Sequence, residues 1–436
     1  MPGQAVGVDS DETVFPSSFS LAPPGDYYVM AMLDVNHSAA HRFFSPGNLR
    51  MNAVLLKSFK PRTTSTVRVT LDLRVAPEKT GELPAGMEQI DFTSPSLSRF
   101  YGRPIEMHAV VVLPPSYATP PQQAQEPGVA RTPEPGRFPT VYLMPGFGTT
   151  LRDLRSYGGE AIRQMADGRS PEMIYVLLDM SLPTGAHEFA DSVNNGPWGE
   201  ALVRELIPHL ESRYRMQGEP GGRFLTGHSS GGWSSLWLQV TYPDFFGGTW
   251  PTSPDPVDFR NFTGPDIAGA KPGSNFYFKP DGEPWMLVRM GGKEVESLRD
   301  YARQERTLGQ YGGQFASFEW VFSPRGAGGR PMQLFDRATG AIDPAVAAAW
   351  EKYDIARILR DNWDTLGPKL KGKIHIFVGT ADSFHLESSV QLLEQDLKRL
   401  GSDAQFTYLP GRTHFDLYCC GLSEEIAREM YKRARH

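Results

Sequence analysis

Apolar and polar positions change period several times along the chain, and the changes divide it. Thr66-Val-Arg-Val-Thr-Leu-Asp-Leu-Arg-Val75 alternates strictly, with Val67, Val69, Leu71, Leu73 and Val75 on one side. A period of two predicts a half-buried antiparallel strand. Asp26–Asp34 is rich in strand formers behind the turn signal Pro23-Pro24-Gly25, and Asn52–Leu56 is a further apolar run. No helical period intervenes. Residues 15–76 are therefore expected to form a small β-sandwich-like module behind a flexible lead at 1–14. Packing or homo-oligomerisation is its expected role, with carbohydrate binding as the alternative; no aromatic platform is legible. Residues 77–104, with Pro77, Gly81, Pro84, Gly86 and Pro95, read as a connector.

From Ile105 the pattern changes. Short apolar runs at Ile105–Leu113, Thr140–Met144, Met173–Leu178, Arg223–Thr226, Lys373–Val378 and Gln405–Leu409 predict buried strands. Between them lie stretches of helical period: Leu151–Ala166, Trp198–Tyr214, Trp233–Thr241 and Leu386–Leu400, with a last one at Ser423–Lys432. Strand alternating with helix implies an α/β domain over 105–436, built on a mostly parallel sheet with helices on both faces. Two stretches break the alternation. Pro114 to Pro139 holds eight prolines and reads as a surface loop. Residues 252–350 separate two sheet strands by more than a plain loop needs, and are expected to form a cap-like insert over the site.

Composition removes several classes. The chain is 40% hydrophobic and 22% charged over 436 residues, enough apolar side chains for a large core. A net charge of −6 without a Lys/Arg block argues against nucleic acid. No run of about 18 apolar residues is present to span a membrane. Met1–Ser20 is polar and lacks the apolar centre of a signal peptide, which leaves cytoplasmic and exported readings both open. The two cysteines are adjacent, Cys419 and Cys420, a poor geometry for bridging each other. No His/Cys/Asp cluster has metal-ligand spacing and no phosphate-cradling loop occurs, so neither metal nor cofactor is expected.

The candidate chemistry centres on Gly227-His228-Ser229-Ser230-Gly231. A G-x-S-x-G sequence between a strand and a helix places a serine on a sharp turn above the sheet edge. Ser229 is the expected nucleophile, and it needs a base and an orienting carboxylate. Four histidines follow it: His375 falls inside a strand, His436 is terminal, and His385 opens a helix. His414 alone follows a strand on a glycine-containing loop. Asp382 ends the strand before the last one and is the expected acid, with Glu387 as its nearest competitor. The oxyanion donors are expected to be the backbone N–H groups of Ser230 and of Phe147, after Thr140–Met144. Trp285, Phe315 and Trp320 of the insert are expected to line an acceptor pocket for bulky or aryl esters.

Val141–Gly148, Asn194–Pro208, Gly227–Gly232, Gly379–Asp382 and Gly411–Phe415 resemble the bacterial putative-esterase family of α/β hydrolases. That group includes enterochelin esterases, feruloyl esterases, S-formylglutathione hydrolases and mycolyltransferase antigens. The resemblance covers about residues 105–250 and 370–432. It implies an α/β-hydrolase fold, the set Ser229, Asp382 and His414, and Phe147 as first-loop oxyanion donor. The expected activity is serine carboxylic ester hydrolysis through an acyl-enzyme, on small-molecule or oligomeric esters. The alternatives are acyl transfer by the same residues and a non-catalytic binding protein on the same fold.

Overall fold

The computed structural model describes residues 15–16, 18–36, 45–63, 68–76, 82–118, 136–309 and 313–435. The expected lead at 1–14, Val67 and most of the proline-rich loop lie outside the described residues.

Eight strands form the central sheet: β1 (Met87–Thr93), β2 (Glu106–Val112), β3 (Thr140–Met144), β4 (Ile174–Leu178), β5 (Arg223–His228), β6 (Gly248–Thr252), β7 (His375–Gly379) and β8 (Gln405–Leu409). Their order across the sheet is β1-β2-β4-β3-β5-β6-β7-β8. The strands from β3 to β8 run parallel, and β2 is antiparallel to both of its neighbours. The central strands are buried on both faces, which is why they read as continuous apolar runs.

Helices cover both faces. On one side lie α1 (Leu151–Ala166), through Leu154 and Met165, and the C-terminal helix Leu422–Arg433, through Ile426 and Met430. On the other lie helical residues 198–213, α2 (Ser230–Thr241) and α3 (Leu386–Arg399). α1 starts at a capping box, where Thr150 Oγ1 accepts from the Asp153 N–H and Asp153 accepts from the Thr150 N–H. α2 is buried along nearly its whole length, so it shows little amphipathic stripe.

Three expectations change. Residues 77–104 are not only a connector: they supply edge strand β1 and the helix Pro95–Tyr101, capped by Ser94. Met87, Ile90 and Leu97 are buried there and tie the stretch to the α/β domain. In the N-terminal region, Gly25–Val29 pairs with Val54–Phe59, and three two-residue strands form a second small sheet. The predicted strand at 66–75 is reduced to Leu73–Arg74, although Val69, Leu71, Leu73 and Val75 are each less exposed than their neighbours. Met51 is the one apolar side chain fully buried there among the described residues, so this region has little core of its own.

The insert packs into the α/β domain, and its residues line the same cavity as Ser229 and His414. Its helix Gln314–Phe322 is buried along most of its length, Ser317 and Glu319 included. Phe322 packs on Trp233 of α2, and Phe262, Phe318 and Trp350 join the same cluster. Hydrogen bonds from Ala186 N–H to Ser317 Oγ and from Asn194 Nδ2 to the Ser323 carbonyl fasten it to the 181–197 loops.

Candidate active site

The turn after β5 has no space for side chains at its glycines. A Cβ on Gly227 would stand 2.1 Å from the Gly231 carbonyl oxygen, and one on Gly231 would stand 2.0 Å from that of Met144. Ser229, between them, has φ 57° and ψ −123°. A non-glycine residue in that region is strained, and the packing on either side holds it there. α2 begins at Ser230, so its N-terminus faces the serine. Gly146 lies against the same turn, where a Cβ would meet Ser229 Cβ at 3.5 Å. The Phe147 loop therefore rests on the nucleophile candidate. Among the described residues, neither the Phe147 nor the Ser230 N–H donates to a protein acceptor.

Asp382 follows β7 and His414 follows β8 at the same end of the sheet as Ser229. His414 Nδ1 and Asp382 Oδ2 are 3.0 Å apart, with both side chains buried. Burial by itself would raise the Asp382 pKa, but the His414 hydrogen bond and charge, with the Phe384 N–H, outweigh it and hold the carboxyl below its ordinary value. Glu387 is engaged elsewhere, by Arg289 at 2.7 Å. The same arginine donates through Nε to the Asp382 carbonyl at 2.8 Å, so an insert hairpin clamps the acid's loop.

The sequence placed Ser229 against His414, and both line one cavity. The hydroxyl, however, donates to another residue: Ser229 Oγ lies 3.2 Å from Asp255 Oδ1. Ser230 Oγ donates to Asp255 Oδ2 at 2.6 Å, and Gln314 Nε2 stands 3.5 Å from that oxygen. Burial raises the Asp255 pKa against these donors and the His414 charge. Asp255 follows β6, at the same end of the sheet as the other groups. Its position at a strand end was the available signal, hidden by the flanking prolines of Ser253-Pro-Asp-Pro256. His228, the variable residue of the motif, also packs at the site. Its ring lies 4.4 Å from that of His414, and burial and the His414 charge push its pKa down to about 3.

The cavity is about 650 Å³ and has two wings. One runs between α1 and the C-terminal helix, past Tyr157, Ala161, Ile426 and Met430. The other lies under the insert, past Phe262, Leu287, Tyr301, Phe315 and Phe318. Of the three aromatics expected at the pocket, Phe315 is in this wall, and Trp285 and Trp320 are not. The Trp285 ring covers Gly264 and lies 5.3 Å under Lys279 Nζ. Trp320 faces a separate hollow with Arg306 and Arg337. Among the described residues no group of three or more His, Cys, Asp or Glu could hold a metal, and no helix is long and apolar enough to cross a membrane.

Strand order, elbow and strand-end loops define an α/β-hydrolase fold. The model of the family described as "Putative esterase" matches residues 104–394, and the chain belongs to that family. Esterase Rv1288 and Esterase MT1326, from two strains of Mycobacterium tuberculosis, are each 28% identical to it over 115 residues, 25% of this chain and 24% of theirs. The match thus spans about a quarter of those curated relatives. Among solved structures, a ferulic acid esterase aligns over 80% of this chain and 98% of its own, at 13% identity and a TM-score of 0.48. S-formylglutathione hydrolase from Agrobacterium tumefaciens aligns over 80% and 95%, at 16% identity and a TM-score of 0.45.

Proposed function

We propose that this chain hydrolyses carboxylic esters, with Ser229 as nucleophile, His414 as general base and Asp382 as the orienting carboxylate. The observation that carries the reading is Ser229 on its strained turn, facing the same cavity as a histidine already bonded to a buried carboxylate. Ser229 Oγ turns from Asp255 to the open ring nitrogen of His414, gives it the proton and attacks the ester carbonyl. The oxyanion is held by the Phe147 and Ser230 N–H groups, which have no protein acceptor among the described residues. His414 passes the proton to the leaving alkoxide, and the alcohol departs from an acyl-serine. Water, deprotonated by His414, then attacks; the carboxylic acid leaves and Ser229 recovers its proton. The low pKa of Asp382 keeps it ionised beside the imidazolium that forms twice per turnover.

A fluorophosphonate probe tests the assignment. One equivalent is expected to bind covalently, block hydrolysis of p-nitrophenyl acetate and map to the peptide holding Ser229; Ser229→Ala is expected to take up none. An adduct on another serine, or continued hydrolysis by fully labelled protein, overturns it.

A further inference from the structure

Four buried carboxylates among the described residues have an arginine. Asp258 and Asp396 share Arg260 and Arg360, Glu319 has Arg337 and Glu387 has Arg289, while Asp382 is bonded to the His414 imidazole. Three other buried acids have no ion pair among the described residues: Asp354, Glu188 and Asp255. Asp354 caps the helix Ile355–Leu370, where backbone N–H groups serve it. Glu188 lies behind the elbow on Ser234 Oγ, outside the cavity lining, and burial with the nearby Asp255 pushes its pKa up to about 8. That leaves Asp255. Its oxygens have hydroxyl and amide donors from Ser229, Ser230 and Gln314 but no ion pair among the described residues, and the cationic charge that acts on it comes from His414 across the site.

Unlike Glu188 and Asp354, Asp255 lines the cavity. The wing that leads from it is walled by aromatic rings. Tyr301 and Phe315 pack edge to face with centroids 5.2 Å apart, and Phe262 and Phe318 do so at 5.4 Å. Aromatic walls around a single carboxylate are chemistry suited to an ammonium group: the ring faces attract a cation, and the carboxylate supplies the countercharge. A hydroxyl from the substrate would duplicate donors already present. A cation would supply the charge that the site lacks, and burying a carboxylate without one is costly.

We propose that the insert wing is a subsite for a cationic group of the ester substrate, a quaternary or protonated amine held between Asp255 and the rings of Phe262, Tyr301, Phe315 and Phe318. The inference rests on the esterase reading above and adds the substrate class. Asp255 lies within hydrogen-bond reach of the nucleophile, so the cation sits only a few bonds from the scissile carbonyl. It belongs to a choline-type alcohol or to a betaine-type acyl group.

The test uses two matched pairs: acetylcholine and glycine betaine ethyl ester, each beside the neutral analogue in which a quaternary carbon replaces the nitrogen. At constant ionic strength, the cationic member of at least one pair is expected to have kcat/KM higher by about tenfold or more. The pair that responds identifies the side of the ester that carries the charge. In Asp255→Asn that ratio is expected to fall to near one. The ratio cancels any loss common to both esters, so a purely structural role for Asp255 leaves it unchanged. Equal rates within both pairs, or a preference that survives Asp255→Asn, overturns the proposal while leaving the esterase reading intact. Calorimetry separates the two readings without turnover. Ser229→Ala is expected to bind the cationic ester of each responding pair about tenfold tighter than its neutral partner, even if another residue proves to be the nucleophile. Equal affinities sink the cation subsite.

Discussion

Replacing Ser229 or His414 by alanine is expected to lower kcat on a small neutral ester by on the order of 10⁵–10⁶, and replacing both to cost no more than either alone. The reason is that in the proposed mechanism the two residues perform one step. Without His414 the Ser229 proton has no imidazole to take it during attack, and the hydroxyl stays hydrogen-bonded to Asp255. Without Ser229, His414 has no nucleophile to activate. Whatever rate survives comes from the oxyanion donors and from binding, which neither substitution touches. Purified single and double variants assayed on p-nitrophenyl acetate, corrected for spontaneous hydrolysis, give the answer. A double variant slower by the product of the two single losses would mean that the residues act independently. His414→Ala also leaves Asp382 fully buried without its partner, at a cost of about 1–3 kcal/mol or more. Its fold is therefore to be checked by circular dichroism before its rate is read.

The second large effect is on folding. Gly231→Ala is expected to destabilise the protein by about 3 kcal/mol or more, through overpacking against atoms that cannot move aside. The added methyl would lie 2.0 Å from the Met144 carbonyl oxygen and 2.5 Å from that of Pro145. Both belong to the backbone of β3 and the loop that carries Phe147, so relief would require moving that loop off the elbow. Any folded fraction is then expected to lose a further ~10²–10³ in turnover through a displaced oxyanion donor. Gly159→Ala on α1 is the control. Its methyl would meet nothing nearer than the Arg163 side chain at 3.7 Å, and replacing a helical glycine is expected to stabilise by about 0.4–1 kcal/mol. Urea unfolding of both variants decides the matter: equal midpoints would mean that the elbow tolerates a side chain at Gly231.

The features legible in the sequence were those with one local cause. Gly227 has to clear the Gly231 carbonyl within one turn, Gly231 has to clear the Met144 carbonyl of the neighbouring strand, and the buried parallel strands can only be apolar. Asp382 and His414 could be read because a parallel sheet puts every strand's C-terminal loop at one end. The same rule covers Asp255, but Pro254 and Pro256 mark that stretch as irregular loop, and no propensity reveals a hydrogen bond to Ser229. β1 escaped because Gly86 and Pro95 bracket it, and its buried positions, Met87 and Ile90, are three apart and do not alternate. Direction was the other gap. Phe315, Trp285 and Trp320 are equally aromatic in the sequence, and only the packing of the insert decides which ring meets the cavity.

The sheet order has a consequence for how the molecule fails. Ser229 follows an interior strand with a partner on each side, whereas His414 follows β8, an outer strand held by β7 alone. Edge elements open at a lower free-energy cost than the centre of a sheet. As urea rises, His414 should part from Ser229 while β3, β5 and β6 still hold their pairing. Catalysis then fades at a lower concentration than the circular dichroism of the whole fold, and silence precedes melting.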